Sequence, residues 1–195
     1  YKGKDLSIQT DTLQYLYSQK KTFFYGETDI KTEDATMYCE SGWYNTETGE
    51  GSLQQNASIS RETDYISGDT LIYFPKEGVS IGRGNVYYRD STQDIAFNGD
   101  YAYTSDSLNY SFLTGHAVAT KIMTDDTLYI HADTLFTTSA DSIDVMKAYH
   151  GAKIYSTKVQ CLADSIVFNS GTELIELYKT PIVWSNGSEL KGDFI

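Results

Sequence analysis

Proline is almost missing from this 195-residue chain, which holds only Pro75 and Pro181. Long hydrogen-bonded ladders tolerate proline only at turns, edges and strand starts, because it lacks the N–H that pairing needs. Cysteine is equally scarce: Cys39 and Cys161 are the whole supply, about four repeats apart by the spacing set out below. Each repeat of a stacked array advances at least one strand spacing of about 4.8 Å, and a disulfide needs Cα atoms within about 7 Å, so the expectation is two buried free thiols. Basic residues number 15 against 27 acids, a net charge of −12, and they are scattered. Binding to DNA or RNA through phosphates, which needs clustered Lys and Arg, is thereby excluded as an expectation. No apolar run reaches bilayer-spanning length, and no 3.6-residue apolar stripe marks an amphipathic helix. His116, His131 and His150 are dispersed, without metal-ligand spacing to one another or to a cysteine, and no Gly-x-Ser-x-Gly elbow occurs.

What the chain does have is tyrosine, 17 residues, with 8 Phe and many Thr, Ile and Val. That is the usage of pleated, half-buried surfaces. It also has a period. Asp11, Glu40, Asp69, Asp100, Asp133, Asp164 and Asp193 each follow a small residue, at gaps of 29, 29, 31, 33, 31 and 29. Three residues before each acid stands an apolar one (Ile8, Met37, Ile66, Phe97, Ile130, Cys161, Leu190), and Leu13, Leu71, Leu135 and Ile166 are among those two after it. Positions −3, −1, +2 and +4 do not share one parity, so the small residue and the acid are expected at a bend that resets the inward face. Each unit reads as strand, corner, strand.

About half a period later a second pattern runs through Gly26, Gln55, Gly84, Gly115, His150 and Thr180, followed two residues on by Thr28, Ala57, Val86, Ala117, Ala152 and Ile182. Turn segments such as 45–50, 75–78 and 169–172 separate the two. Each unit therefore offers two or more short strands, and the chain is read as one all-β repeat domain over residues 1–195, about six and a half repeats long. Its ends look like cuts in a longer precursor. The recurrence of the acids at one phase argues for an architectural role, a carboxylate accepting local backbone N–H bonds at a turn, rather than for an ion site or a glycosidase pair.

The strings Ile66-Ser67-Gly68-Asp69-Thr70-Leu71-Ile72-Tyr73, Arg83-Gly84-Asn85-Val86-Tyr87-Tyr88, Leu128 to Leu135 and Cys161 to Phe168 resemble the alternating units of the OstA/LptA lipopolysaccharide-transport family. Residues Met37–Tyr44, Pro181–Trp184 and Leu190–Asp193 are similar to OstA-like proteins of Bacteroidetes. The resemblance covers nearly the whole chain. It implies an elongated, partly open β-jellyroll, two sheets facing each other, in a periplasmic protein whose signal peptide lies outside this sequence. It implies no cofactor, and as partners lipopolysaccharide, other transport proteins, or a second copy joined by end-to-end strand addition.

Under that resemblance lipid A acyl chains would lie along an apolar groove, with Ile66, Leu71, Val86, Phe97, Ile130, Leu135, Ile154 and Ile166 as the lining chosen by phase. Each buried methylene contributes about 0.8 kcal/mol. Rival readings are a closed parallel β-helix acting as an adhesin or scaffold, and a β-helical carbohydrate-active enzyme. The copies of Asp-Ser/Thr-Leu/Ile that fall off the acid phase, beginning at Asp106, Asp126 and Asp141, resemble the O-glycosylation acceptor motif of Bacteroidetes.

Overall fold

The computed structural model describes residues 6–140, 143–172 and 174–195. Among the described residues fourteen strands follow one another: β1 (Leu6–Leu16), β2 (Lys21–Thr32), β3 (Thr36–Asn45), β4 (Gly51–Ser60), β5 (Asp64–Phe74), β6 (Val79–Asp90) and β7 (Ile95–Ser105) come first. They continue as β8 (Tyr110–Ile122), β9 (Thr127–Ala140), β10 (Ile143–Tyr155), β11 (Val159–Asn169), β12 (Leu174–Tyr178), β13 (Ile182–Ser185) and β14 (Ser188–Lys191). From β1 to β11 each strand pairs antiparallel with the next, and β11 then pairs with both β12 and β13. One 30-residue period is thus a hairpin of two strands, mostly 10–14 residues each up to β11, rather than a set of short ones. The parallel β-helix is excluded, because every pairing is antiparallel and the ladder does not close on itself.

Six of the seven recurring acids do not sit in turns; only Asp193, after β14, lies at a bend. Asp11, Glu40, Asp69, Asp100, Asp133 and Asp164 lie mid-strand in β1, β3, β5, β7, β9 and β11, each as the single residue opposite two residues of an adjacent even-numbered strand. Those two residues form a bulge at the phase of the second sequence pattern. In β4, β6, β8 and β10 both members are left-handed: Gln55 and Asn56, Gly84 and Asn85, Gly115 and His116, His150 and Gly151, with φ between 49° and 75°. Glycine, Asn and His enter this region most readily, since a larger L-residue there costs about 1–2 kcal/mol.

Two consecutive left-handed residues bend the strand sharply. Gly82 and Val86, on either side of the β6 bulge, would stand about 13 Å apart in an extended strand. Here a Cβ built on Gly82 would come within 3.1 Å of both Val86 methyl groups. Repeated strand after strand, the bend folds the continuous ladder along a spine into two facing halves.

The carboxylates rest on the bulges. A Cβ at Gly84 would meet Asp69 Oδ2 at 2.1 Å, and one at Gly115 would meet Asp100 Oδ2 at 2.5 Å. The second bulge residue then reaches the acid: Asn56 Nδ2 donates to Glu40 (2.5 Å), Asn85 Nδ2 to Asp69 (3.2 Å), and His116 Nδ1 lies 3.1 Å from Asp100. In the last unit Lys179 Nζ donates to Asp164 at 2.9 Å. The partners of Glu40, Asp69 and Asp100 are therefore side chains on the next strand, and Asp133 and Asp164 also accept from the neighbouring hydroxyls of Thr134 and Ser165, rather than from local backbone N–H groups.

On the outer surface of one half the abundant aromatics find their place. Ala102, Leu113 and Leu135 face inward, so their strand neighbours Tyr103, Phe112 and Phe136 face out and stack across β7, β8 and β9 with ring centroids 5.6 and 5.9 Å apart. Cross-strand aromatic pairs of this kind contribute about 0.5–1.5 kcal/mol each beyond burial. Pro75 sits in the β5–β6 turn and Pro181 immediately before β13, where neither breaks a ladder bond.

Two predictions follow from the spine. Gly84→Ala, which adds a methyl group against Asp69 on top of the left-handed penalty, is expected to cost at least 1–2 kcal/mol more in urea unfolding than the roughly 1–2 kcal/mol of Gly151→Ala, where the built Cβ meets nothing within 4 Å. The hydrogen bond from Lys179, followed by that from Ser165, holds the Asp164 carboxyl below its ordinary pKa. A depressed folded-state pKa adds stability above the unfolded value that is lost as pH falls through the folded one. Lys179→Met should raise the NMR-observed Asp164 pKa, and its stability deficit should be largest at neutral pH and vanish in acid.

Candidate functional site

Burial follows distance from the spine. Inward residues next to the bend are sealed: Cys39, Ala57, Ala117, Ala132 and Ala152 are fully buried, with Val86, Leu71 and Leu135 at 2–4% exposure. Small side chains dominate because the two halves converge there. Farther out along the middle strands the inward residues are larger and only partly covered, as at Met37, Ile59, Ile66, Tyr88, Phe97 and Ile130, whereas Ile8 and Ile30 at one end and Ile154 and Cys161 at the other stay buried in the same columns. The molecule is a pair of jaws, tight at the hinge and loosening toward the lips formed by the hairpin turns.

The eight residues expected to line a groove divide by burial, with Ile154 buried although it faces Ile130 in register. Leu71, Val86, Leu135, Ile154 and Ile166 belong to the buried floor, while Ile66, Phe97 and Ile130 stand on the half-open walls. All face the interior. None of them touches one common point, because the period distributes them over β5 to β11.

Between β2 and the β5–β6 turn the jaws part into a cleft of about 500 Å³. Leu53 and Leu71 form its floor, Met37 and Ile59 one wall, and Tyr44, Tyr73 and Pro75 the other. At its mouth stand Asp34 and Arg61 on one lip and Glu47 on the other. Burial raises the Tyr44 phenol above its ordinary pKa, so it stays a neutral polar group facing the cavity. Of the eight residues chosen by phase only Leu71 lines this cleft, although Met37, Tyr44 and Tyr73 also fall in the repeating columns; the mouth residues lie in turns, outside those columns, and no periodic signal could have singled them out. A second, shallower hollow of about 400 Å³ lies at the β8–β9 turn beside Asp125, Asp126, Tyr129 and Tyr155.

Both ends of the jaws differ. At the β1 edge Leu13 and Tyr15, inward by phase, are 38% and 43% exposed. At the far end the backbones of Leu177 and Ile195 exchange two hydrogen bonds, and Ile195 packs on the apolar core. Cys39 and Cys161 are free and buried, and desolvation pushes the Cys39 thiol up to about 11. Among the described residues no three His, Cys, Asp or Glu side chains cluster as a metal site. Of the serine and threonine motifs off the acid phase, Ser107 lies in the β7–β8 turn and Thr127 opens β9, while Asp141 and Ser142 lie outside the described residues.

The hinge-to-lip gradient has an energetic signature. Leu135→Ala at the hinge should cost about 2–4 kcal/mol in denaturant unfolding, whereas Ile66→Ala on the wall should cost about 1 kcal/mol or less, because solvent already fills part of its surroundings.

No protein-family model and no curated protein matches the chain. Among solved structures it is similar to the crystal structure of LptH from Pseudomonas aeruginosa, described as the LptA-homologous periplasmic component of the conserved lipopolysaccharide transport device. The likeness has a TM-score of 0.50 and 15% identity, over 59% of this chain and 81% of that one. Its bent, antiparallel, unclosed ladder is an LptA-like β-jellyroll.

Proposed function

We propose that the protein is a periplasmic carrier of lipopolysaccharide that shields lipid A acyl chains between its two half-sheets. The observation that carries this reading is the burial gradient: an apolar interior sealed at the hinge, left partly uncovered along the walls, and parted into a cleft at β2–β5. The likeness to LptH supports the reading through its fold.

In this reading Ile66, Phe97 and Ile130 on the walls contact lipid directly, while Leu71, Val86, Leu135, Ile154 and Ile166 form the floor on which the chains rest. Acyl chains gain about 25 cal/mol for every Å² of apolar surface they hide. β1 stands at one end of the strand order among the described residues, with Leu13 and Tyr15 uncovered beside it, and this end is where another transport protein or a second copy would join by strand addition. The resemblance to OstA-like proteins of Bacteroidetes belongs to the same reading.

Photo-crosslinking residues placed at Met37, Ile59 and Ile66 in cells should give lipopolysaccharide adducts. Placement at outward-facing Ser58 should give none. Absence of an adduct from every inward position would sink the carrier reading in favour of a scaffold.

A further inference from the structure

The hollow at the β8–β9 turn lies outside the jaws and is lined by a different chemistry from the cleft. Tyr129 and Tyr155 face outward, because their strand neighbours Ile130 and Ile154 pair in register and pack on the core. The two tyrosines pair in the same register, with ring centroids 6.4 Å apart and planes tilted by 43°. They are 43% and 54% exposed, whereas the stacked Tyr103, Phe112 and Phe136 of the other half cover one another more fully. Thr120 and Gln160, next to them in register on either side, are polar. The pair is therefore an isolated aromatic platform rather than one edge of an apolar face.

The turns beside the platform supply a fixed polar rim. Asp126 is committed to structure: it accepts from the Thr127 amide at 2.8 Å and from the Thr157 amide, in the β10–β11 turn, at 3.2 Å. That carboxylate ties together the two turns that border the hollow. The Met123 amide closes the β8–β9 turn by donating to the Asp126 carbonyl at 2.9 Å. Asp125, by contrast, is exposed and has no hydrogen bond or ion pair among the described residues. Thr124 adds a hydroxyl beside it.

A ligand suited to this hollow offers an apolar face to two tilted rings and hydrogen-bond donors to a carboxylate at their edge. A pyranose does both, with its C–H face and its rim of hydroxyls. An anionic ligand is opposed by two carboxylates, and a hydrocarbon chain would desolvate Asp125 without giving it a partner. The hollow, about 400 Å³ and shallow, suits a flat six-membered ring lying down better than a compact cation, which needs enclosure on several sides. We infer that it is a binding site for an uncharged pyranose sugar, stacked on Tyr129 and Tyr155 with hydroxyls donating to Asp125. The site does not depend on the jaws carrying lipid, and its sugar can belong to a free glycan or to the saccharide of a glycolipid.

Methyl glucoside, methyl galactoside and methyl mannoside, titrated into the full chain, provide the test, with glucuronate and choline as charged controls. NMR follows the Met123 methyl and both tyrosine rings, and the Ile59 methyl inside the cleft serves as reference. At least one pyranoside should shift the Met123 and ring signals with Kd on the order of 1 mM, leaving Ile59 unmoved. Glucuronate and choline should bind at least about fivefold more weakly than that sugar. Tyr129→Thr/Tyr155→Thr, which keeps strand-favouring residues at exposed positions, should weaken the Met123 response about tenfold or more. Asp125→Ala, altered only in an exposed turn, should weaken it about fivefold. No response to any pyranoside up to roughly 50 mM overturns the inference. So does choline binding more tightly than every pyranoside, or a sugar response that survives either variant. Intact lipopolysaccharide added to the sugar-saturated chain then names the source, and both of its outcomes keep the pyranose assignment. Displacement of the pyranoside assigns the hollow to the saccharide of that glycolipid, and no displacement assigns it to a separate glycan.

Discussion

Everything in this molecule depends on one local contest, between a carboxylate on one strand and two left-handed residues on the next. The bulge supplies an extra residue that the ladder cannot pair, and a strand carrying it must bend. The carboxylate makes that bend tolerable by occupying the space where a bulge glycine has no Cβ and by accepting a hydrogen bond from its neighbour, as Asp69 does over Gly84 and from Asn85. Without the bulges the chain would be a flat antiparallel meander with one apolar face left to water. With them the same meander folds over its own apolar face.

The spine also explains why side-chain size increases outward. Two sheet halves diverging from a common line leave little room beside it, and many of the residues there are Ala, Gly, Cys and Val, with Leu71, Leu135 and Phe24 packed in and buried; several strand positions away the gap admits Met, Ile, Phe and Tyr. Dense packing at the hinge supplies the stability, since buried contacts there are complete. The walls contribute less to stability and are correspondingly available for binding. Stability and the proposed carrier role are thus placed on different residues of the same strands.

Much of this was legible in the sequence, for an identifiable reason. The parity break between positions −1 and +2 around each acid is a direct trace of the bend, and the inward identity of Ile66, Leu71, Val86, Phe97, Ile130, Leu135, Ile154 and Ile166 followed from it. Strand direction did not follow, because a 30-residue period fits one turn of a parallel helix as well as one antiparallel hairpin. The acids' partners were hidden for the same reason: Asp69 and Asn85 are 16 residues apart and become neighbours only once the antiparallel register is known. How far the jaws part is invisible to any apolar pattern, since a closed core and an open groove demand the same alternation. The cleft mouth depends on Asp34, Arg61 and Glu47, which lie in turns that the period does not constrain.

A rigid hinge with yielding lips is the physical core of the account, and distances between spin labels measure it directly. Labels at Glu62→Cys and Glu77→Cys lie in turns on opposite lips; labels at the exposed Arg83→Cys and Lys153→Cys flank the bulges along the spine and leave its carboxylates in place; the native Cys39 and Cys161 are buried away from the reagent. On adding lipopolysaccharide the account predicts a shifted lip-to-lip distance distribution and an unchanged spine-to-spine one. A spine distance that shifts, or lips that keep their distance with lipid bound, would contradict it.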